Sequence, residues 1–211
     1  MVKGLDKFRE YFSGYTDQYV LIGGAACDIS FCEHDADFRA TRDLDIVLIV
    51  EAQTKEFGEK IWEFIKDGKY TNRAKSNGRP QFYRFEKPQE PGFPLMLELF
   101  ARMDWILGND SVLTPIYIDD SVSSLSAILL DDAYYETLLA GRDVVNGVSI
   151  LRPAWITEWN FEPVELLLAV KDDMRKFVSE LQVSDVELKN LKILGIHESD
   201  IKQRLAEVYN I

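Results

Sequence analysis

The chain has 211 residues, enough for one domain or one domain with a small second lobe, and enough to bury a sizeable core. Its formal net charge of −12 gives it no global attraction for nucleic acid, so a polyanionic substrate has to be held by a local basic patch or by a metal ion. No window approaches the run of about 20 apolar residues that spans a bilayer, and the charged, amphipathic start MVKGLDKFREYF is unlike a signal peptide; the expectation is a cytoplasmic protein with no membrane partner.

Residues 4–14 read as a short amphipathic helix. Residues 19–22, YVLI, read as a buried strand that ends at Gly23-Gly24, with a helix following from Ala25. Cys27 and Cys32 do not form the paired sets of a zinc site and are expected to be reduced, buried thiols. His34 and His197 stand far apart in no metal motif and read as surface or structural residues. DLDIVLIV, 43–50, is aliphatic and β-branched and predicts a central strand. Residues 54–66 carry Phe57, Ile61, Trp62, Phe64 and Ile65 at helical spacing.

Residues 82–86 and 94–100 predict two strands of a hairpin, separated by the turn-rich KPQEPGFP. Short strands fit 116–118 and 124–130, and a helix fits 132–141, ending near Gly141. Asn146-Gly147 between two apolar runs is a strong hairpin signal. From Pro153 helical periodicity takes over. Leu167, Val170, Met174, Phe177 and Leu181 mark a helix over 163–181, and further helices fit 184–194 and 198–209, the last with Ser199 as a candidate cap. The predicted architecture is an α/β (α+β) lobe over 1–152, a small mixed sheet flanked by helices, followed by a helical lobe over 153–211.

The chemistry concentrates in 20–50. Strand residues two apart share a face, so Asp43 and Asp45 project together while Leu44 and Ile46 point the other way. Two adjacent carboxylates repel, and a cation relieves that repulsion; hard oxygen ligands suit Mg²⁺ or Mn²⁺, with phosphates in the remaining positions. In PLMLELF, alternation sets Met96, Glu98 and Phe100 on one face and Leu95, Leu97 and Leu99 on the other. A lone Glu in so apolar a strand is costly to bury unpaired. Beside the 43–50 strand, Glu98 completes a three-carboxylate set able to serve phosphoryl transfer with bound metal. Gly23-Gly24, between a strand and a helix, lets backbone approach a triphosphate at a helix N-terminus. Taken alone, such a pair is more often only a tight turn.

The pattern GG…RxTxDxD with a later strand acid resembles the polymerase-β-type nucleotidyltransferase superfamily, and within it is most similar to the toxin-like (AbiEii-like) branch. The matching residues are Gly23, Gly24, Arg39, Thr41, Asp43, Asp45 and Glu98, over about residues 18–102. The resemblance implies transfer of a nucleoside monophosphate from an NTP to an acceptor. It implies that the paired acids bind metal, that the third binds metal or activates the acceptor, and that the Gly turn holds the triphosphate. An RNA end, a protein hydroxyl or a small molecule would serve as acceptor, and an antitoxin is an implied partner. The gap between the Gly turn and the acid pair is longer than in compact members, and the C-terminal lobe lacks a clean family signature.

Four further features remain open on sequence. Arg39 either grips a phosphate or pairs with Asp35 or Asp37, and Arg42 reads as a surface cation. Residues 69–87 form a basic island (Lys69, Arg73, Lys75, Arg79, Arg84, Lys87) that is either a solvated loop or a seat for phosphates, with Phe82 or Tyr83 for stacking. On the 163–181 helix Lys171 falls inside the apolar arc. It either snorkels to solvent or, as in toxin-like relatives, serves the nucleotide. Asp-x-Asp also binds metal in sugar-nucleotide glycosyltransferases, and a non-catalytic interaction module is a third alternative. There is no GxxxxGK[ST], GxGxxG or GxSxG, which argues against an ATPase, a kinase and a serine hydrolase.

Overall fold

The aliphatic run Tyr19–Ile22 (β1) lies in the middle of a mixed α/β sheet, with Tyr19, Val20 and Leu21 fully buried. A computed structural model describes residues 2–33, 41–74, 80–102, 113–116, 125–152, 168–190 and 195–211. The chain divides into two compact units, Met1–Arg152 and Pro153–Ile211. Among the described residues no helix is long and apolar enough to cross a membrane.

In the first unit β1 pairs antiparallel with Asp43–Leu48 (β2), which runs parallel to Met96–Arg102 (β5). Pro80–Glu86 (β4) forms the expected antiparallel hairpin with β5, and Thr71–Ala74 (β3) lies outside β4 at the sheet edge. Leu113–Ile116 (β6) pairs with Leu125–Leu130 (β7), and β7 runs parallel to the far end of β5. Arg142–Val145 (β8) and Val148–Leu151 (β9) form a hairpin whose β9 runs parallel to β1. Its turn residues Asn146 and Gly147 have φ of 49° and 76°, the left-handed values a tight two-residue turn requires. Nine strands of the described residues join, in the order β3-β4-β5-β2-β1-β9-β8, with β6 and β7 off that path.

The period-2 pattern of β2 separates two faces. Leu44, Ile46 and Leu48 face the main core with Leu97, Leu99 and Ala101 of β5. Leu5–Phe12 (α1) and Lys55–Asp67 (α3) cover that face, and Phe8, Phe12, Phe57 and Phe64 interlock edge to face. Gly23–Glu33 (α2) adds Ala25, Ala26 and Ile29 to the same core. Burying each large apolar side chain contributes roughly 1.5–3 kcal/mol. Thr54 caps α3, accepting from the Phe57 N–H at 3.3 Å, and the Gln18 side chain accepts from the Thr54 N–H at 2.9 Å.

The opposite face is covered by Asp132–Ala140 (α4). Its Tyr135 packs with Val20, Val47 and Ile49, and Leu138, Leu139 and Phe100 border them. The Tyr135 hydroxyl donates to Glu51 at 2.7 Å, and Arg102 bridges Glu51 and Asp132 at 3.1 and 2.9 Å. Ile22, Asp45 and Glu98 continue the same face, placed in one row across the sheet by strand register.

The second unit holds the helices Leu168–Glu180 (α5), Asp185–Asn190 (α6) and Glu198–Tyr209 (α7) among its described residues. Glu198 joins two of its segments, accepting from the Val183 N–H at 3.0 Å and pairing with Lys202 at 2.8 Å.

Several expectations change. β2 ends at Leu48, two residues early, because the chain turns into a 3₁₀ segment over Val50–Ala52. β3 falls where only a basic loop was expected. Cys27 and Cys32 carry unbridged thiols but are not buried: Cys27 is half-buried and Cys32 exposed, because α2 turns those positions away from its Ala25, Ala26 and Ile29 stripe. The last helix spans Glu198–Tyr209 as expected, with no later start that would make Ser199 its cap; His197 is the cap residue, and the Asp200 carboxylate accepts from the His197 N–H at 2.8 Å. Phe177, assigned to an apolar stripe, is 51% exposed.

Candidate active site

Asp43 opens β2, and alternation puts it on the same face as Asp45. Register then brings in the third acid. Asp45 lies opposite Glu98 on the parallel β5, and Glu98 lies opposite Arg84 on the antiparallel β4. Arg84, Glu98, Asp45 and Ile22 therefore form one row across four neighbouring strands. Glu98 is buried, at 9% exposure, in a strand that sends Leu97, Leu99 and Ala101 to one core and Phe100 to the other.

An arginine answers the cost of that burial. Arg84 donates from Nε to Glu98 Oε1 at 2.9 Å, and its Nη2 donates to the same oxygen. The bond to Glu98 also raises the Arg84 pKa. Asp45 has no such partner among the described residues. Burial pushes its pKa above the ordinary carboxyl value, the Glu98 and Asp43 charges push it further, and only Arg84 opposes them. Among the described residues one guanidinium faces three carboxylates, so the acids outnumber their counter-charge.

The glycine pair sits directly against these residues. Gly23 has φ +63°, and a Cβ built on it would lie 2.7 Å from Asp45 Oδ2. A Cβ on Gly24 would lie 2.9 Å from Thr41 Oγ1. Side chains are thus excluded where β1 passes into α2, and the helix begins beside the Asp45 carboxylate. Thr41 is tied to the N-terminal segment through its carbonyl, which accepts from the Lys3 N–H at 3.4 Å.

The first unit thus assembles Gly23, Gly24, Thr41, Asp43, Asp45 and Glu98 around one end of β2. Arg39 lies outside the described residues. Lys171 is on α5 of the second unit, partly exposed. The basic island is not one loop. Lys69 pairs with Glu90, Arg84 is on β4 facing Glu98, and Lys75 and Arg79 lie outside the described residues. Sequence reasoning missed the role of Arg84. The signal was a lone Arg in one arm of a predicted hairpin and a lone Glu in the other.

The donor set fits a hard divalent cation in kind: carboxylate oxygens whose charges repel one another, and a cradle at Gly23 that a Cβ would fill. As placed, no group of three or more His, Cys, Asp or Glu side chains among the described residues is arranged to hold a metal ion, and the Glu98 carboxylate is held by Arg84. No family model, curated protein or solved structure matches the chain.

Proposed function

We propose that the first unit is a nucleotidyltransferase core of the polymerase-β type, transferring a nucleoside monophosphate from an NTP to a hydroxyl acceptor. The observation that carries this reading is the contact between the glycine turn and the acid row: Gly23 lies against Asp45, and Asp45 lies in register with Glu98. A scaffold has no need to stack like charges on a central strand, where each raises the cost of the next.

In this reading Asp43 and Asp45 hold Mg²⁺ or Mn²⁺, which supplies charge stabilisation for phosphoryl transfer. Gly23 and Gly24 admit the triphosphate to the start of α2, where backbone amides and the helix dipole favour anions. Glu98 completes the ligand set or takes the acceptor's proton on Oε2, the oxygen that Arg84 does not engage. Arg39 and Thr41 are the further candidates for nucleotide contact in the first unit, and Lys171 of the second unit is a candidate on the resemblance alone. The acceptor classes are an RNA end, a protein hydroxyl or a small molecule, and a toxin restrained by an antitoxin is the biological setting the motif suggests.

The test is incubation of the purified chain with each labelled NTP, Mg²⁺ or Mn²⁺, and acceptors of the three classes. Metal-dependent label transfer that Asp43→Asn and Asp45→Asn abolish supports the reading. Absence of transfer, together with no thermal shift for any NTP plus metal, removes it.

A further inference from the structure

Arg84 lies opposite Glu98 in the β4–β5 register, and its side chain spans the strand gap to the one acid that the row buries most deeply. Its grip is one-sided. Nε and Nη2 both donate to Oε1, and Oε2 receives no hydrogen bond among the described residues. The side-by-side arrangement that engages both carboxylate oxygens, frequent in arginine–carboxylate pairs, is not formed here. The Arg84 side chain keeps 25% of its surface exposed, whereas Glu98 keeps 12%, so the cation has an open route away from the pair. Among the described residues it is also the only counter-charge acting on Asp45, where it opposes burial, Glu98 and Asp43 together.

We propose that Arg84 is a counter-ion displaced by the divalent cation and handed on to the phosphates of the incoming NTP. Resting on the nucleotidyltransferase reading, the inference makes Arg84 a positioning residue for Glu98 and then a phosphate ligand. Without metal, the guanidinium neutralises Glu98 and lowers the repulsion felt by Asp45. When a dication takes over that neutralisation, Oε1 no longer needs Arg84. A fork of N–H donors is then left beside the site, next to a ligand rich in anionic oxygens. The chain would therefore resist binding metal alone and favour metal and nucleotide together.

Two measurements test this on the full chain. The first is Mn²⁺ titration, without and with a non-hydrolysable NTP, for wild type, Arg84→Met and Arg84→Lys. Removing one positive charge beside the cation should tighten Mn²⁺ binding without nucleotide by roughly threefold to tenfold. The same Arg84→Met change should weaken NTP binding at saturating Mn²⁺ by about tenfold, the loss of one charge-assisted contact. Arg84→Lys keeps the charge and should leave Mn²⁺ affinity close to wild type. A merely structural Arg84 would lower both affinities together or neither. The second needs no variant: the Arg84 Nε–H resonance of wild type should shift and exchange faster as Mg²⁺ and NTP saturate the protein. Unchanged or weaker Mn²⁺ binding in folded Arg84→Met, unchanged NTP affinity, or an unmoved Arg84 resonance under saturating ligand overturns the inference alone. A wild type that binds neither Mn²⁺ nor any NTP removes the inference and the functional reading together.

Discussion

Gly23 and the Asp45 carboxylate are in such close contact that a Cβ on Gly23 would stand 2.7 Å from Asp45 Oδ2. The contact joins the two motifs, glycine turn and paired acids, between which the chain places α2. It also gives the glycine two reasons to be there: its φ of +63°, and the space the carboxylate needs.

Gly23→Ala separates these reasons. The left-handed backbone costs an alanine about 1–2 kcal/mol, which in a chain of this size lowers the melting temperature by roughly 2–8 °C. The new methyl group also forces the Asp45 carboxylate to rotate away, since it is the movable partner. The thermal shift produced by Mg²⁺ with a non-hydrolysable NTP should therefore vanish in the variant. A variant that is less stable but keeps the full ligand shift would make Gly23 a turn residue only.

Asp45 should leave a mark on the pH dependence of stability. Its folded pKa is raised above 3.8, first by burial, then by Glu98 and Asp43, against the pull of Arg84. A carboxyl whose pKa is higher folded than unfolded favours the fold while protonated. That contribution is complete below the unfolded value and is lost as pH rises through the folded one. Asp45→Asn does not titrate, so the stability of the variant minus that of wild type should grow from about pH 3.8 upward. It should then level off once Asp45 is ionised in the folded protein. Urea unfolding of both proteins across the acidic range measures the difference; a flat or falling difference would mean that Asp45 is not destabilised by its surroundings.

Tyr135 provides a control away from the acids. Its ring is buried against Val20, Val47 and Ile49, and its hydroxyl donates to Glu51 at 2.7 Å. Tyr135→Phe keeps the ring and removes a bond to a charged acceptor, a loss of about 1.5–3 kcal/mol. Denaturant unfolding should show that loss, and the metal and NTP response should survive in the folded fraction. An altered ligand response would extend the site along the face to α4.

The parts of this fold legible in the sequence are those with strong periodicity on both faces. β1 and β2 are buried runs, and the Asn146-Gly147 turn has a backbone demand few other pairs satisfy. β3 was not legible because an edge strand needs partners on one side only, and TNRA shows no apolar alternation. The end of β2 is not legible because Ile49 and Val50 are as strand-like as their neighbours, although the chain turns into a 3₁₀ segment at Val50. Among the site residues, Asp43, Asp45 and Glu98 could be read from two-residue alternation within single strands. Arg84 could not be placed against Glu98 without the β4–β5 register, which side-chain periodicity leaves free to slip by two residues.

Asp43→Asn and Glu98→Gln should part company in the metal-free protein, because only one of these acids has a partner. Asp43 makes no hydrogen bond or ion pair among the described residues, and its charge adds to the repulsion on Asp45. Its amide should leave stability unchanged or slightly raised. Glu98→Gln also removes a charge that disfavours ionised Asp45, but it takes the anionic acceptor from Arg84 in a pair with exposures of only 12% and 25%. The glutamine oxygen can still accept, so the loss is one of charge assistance, about 1–2 kcal/mol after the relief at Asp45 is set against it. On the nucleotidyltransferase reading both variants should lose metal-dependent transfer, since each removes a group that reading places at the reacting centre. The experiment pairs apo denaturation with transfer activity per folded molecule. Severe destabilisation by Asp43→Asn with activity retained would make the acid row structural. Unaltered stability in Glu98→Gln would show that the ion pair with Arg84 contributes nothing net to the fold.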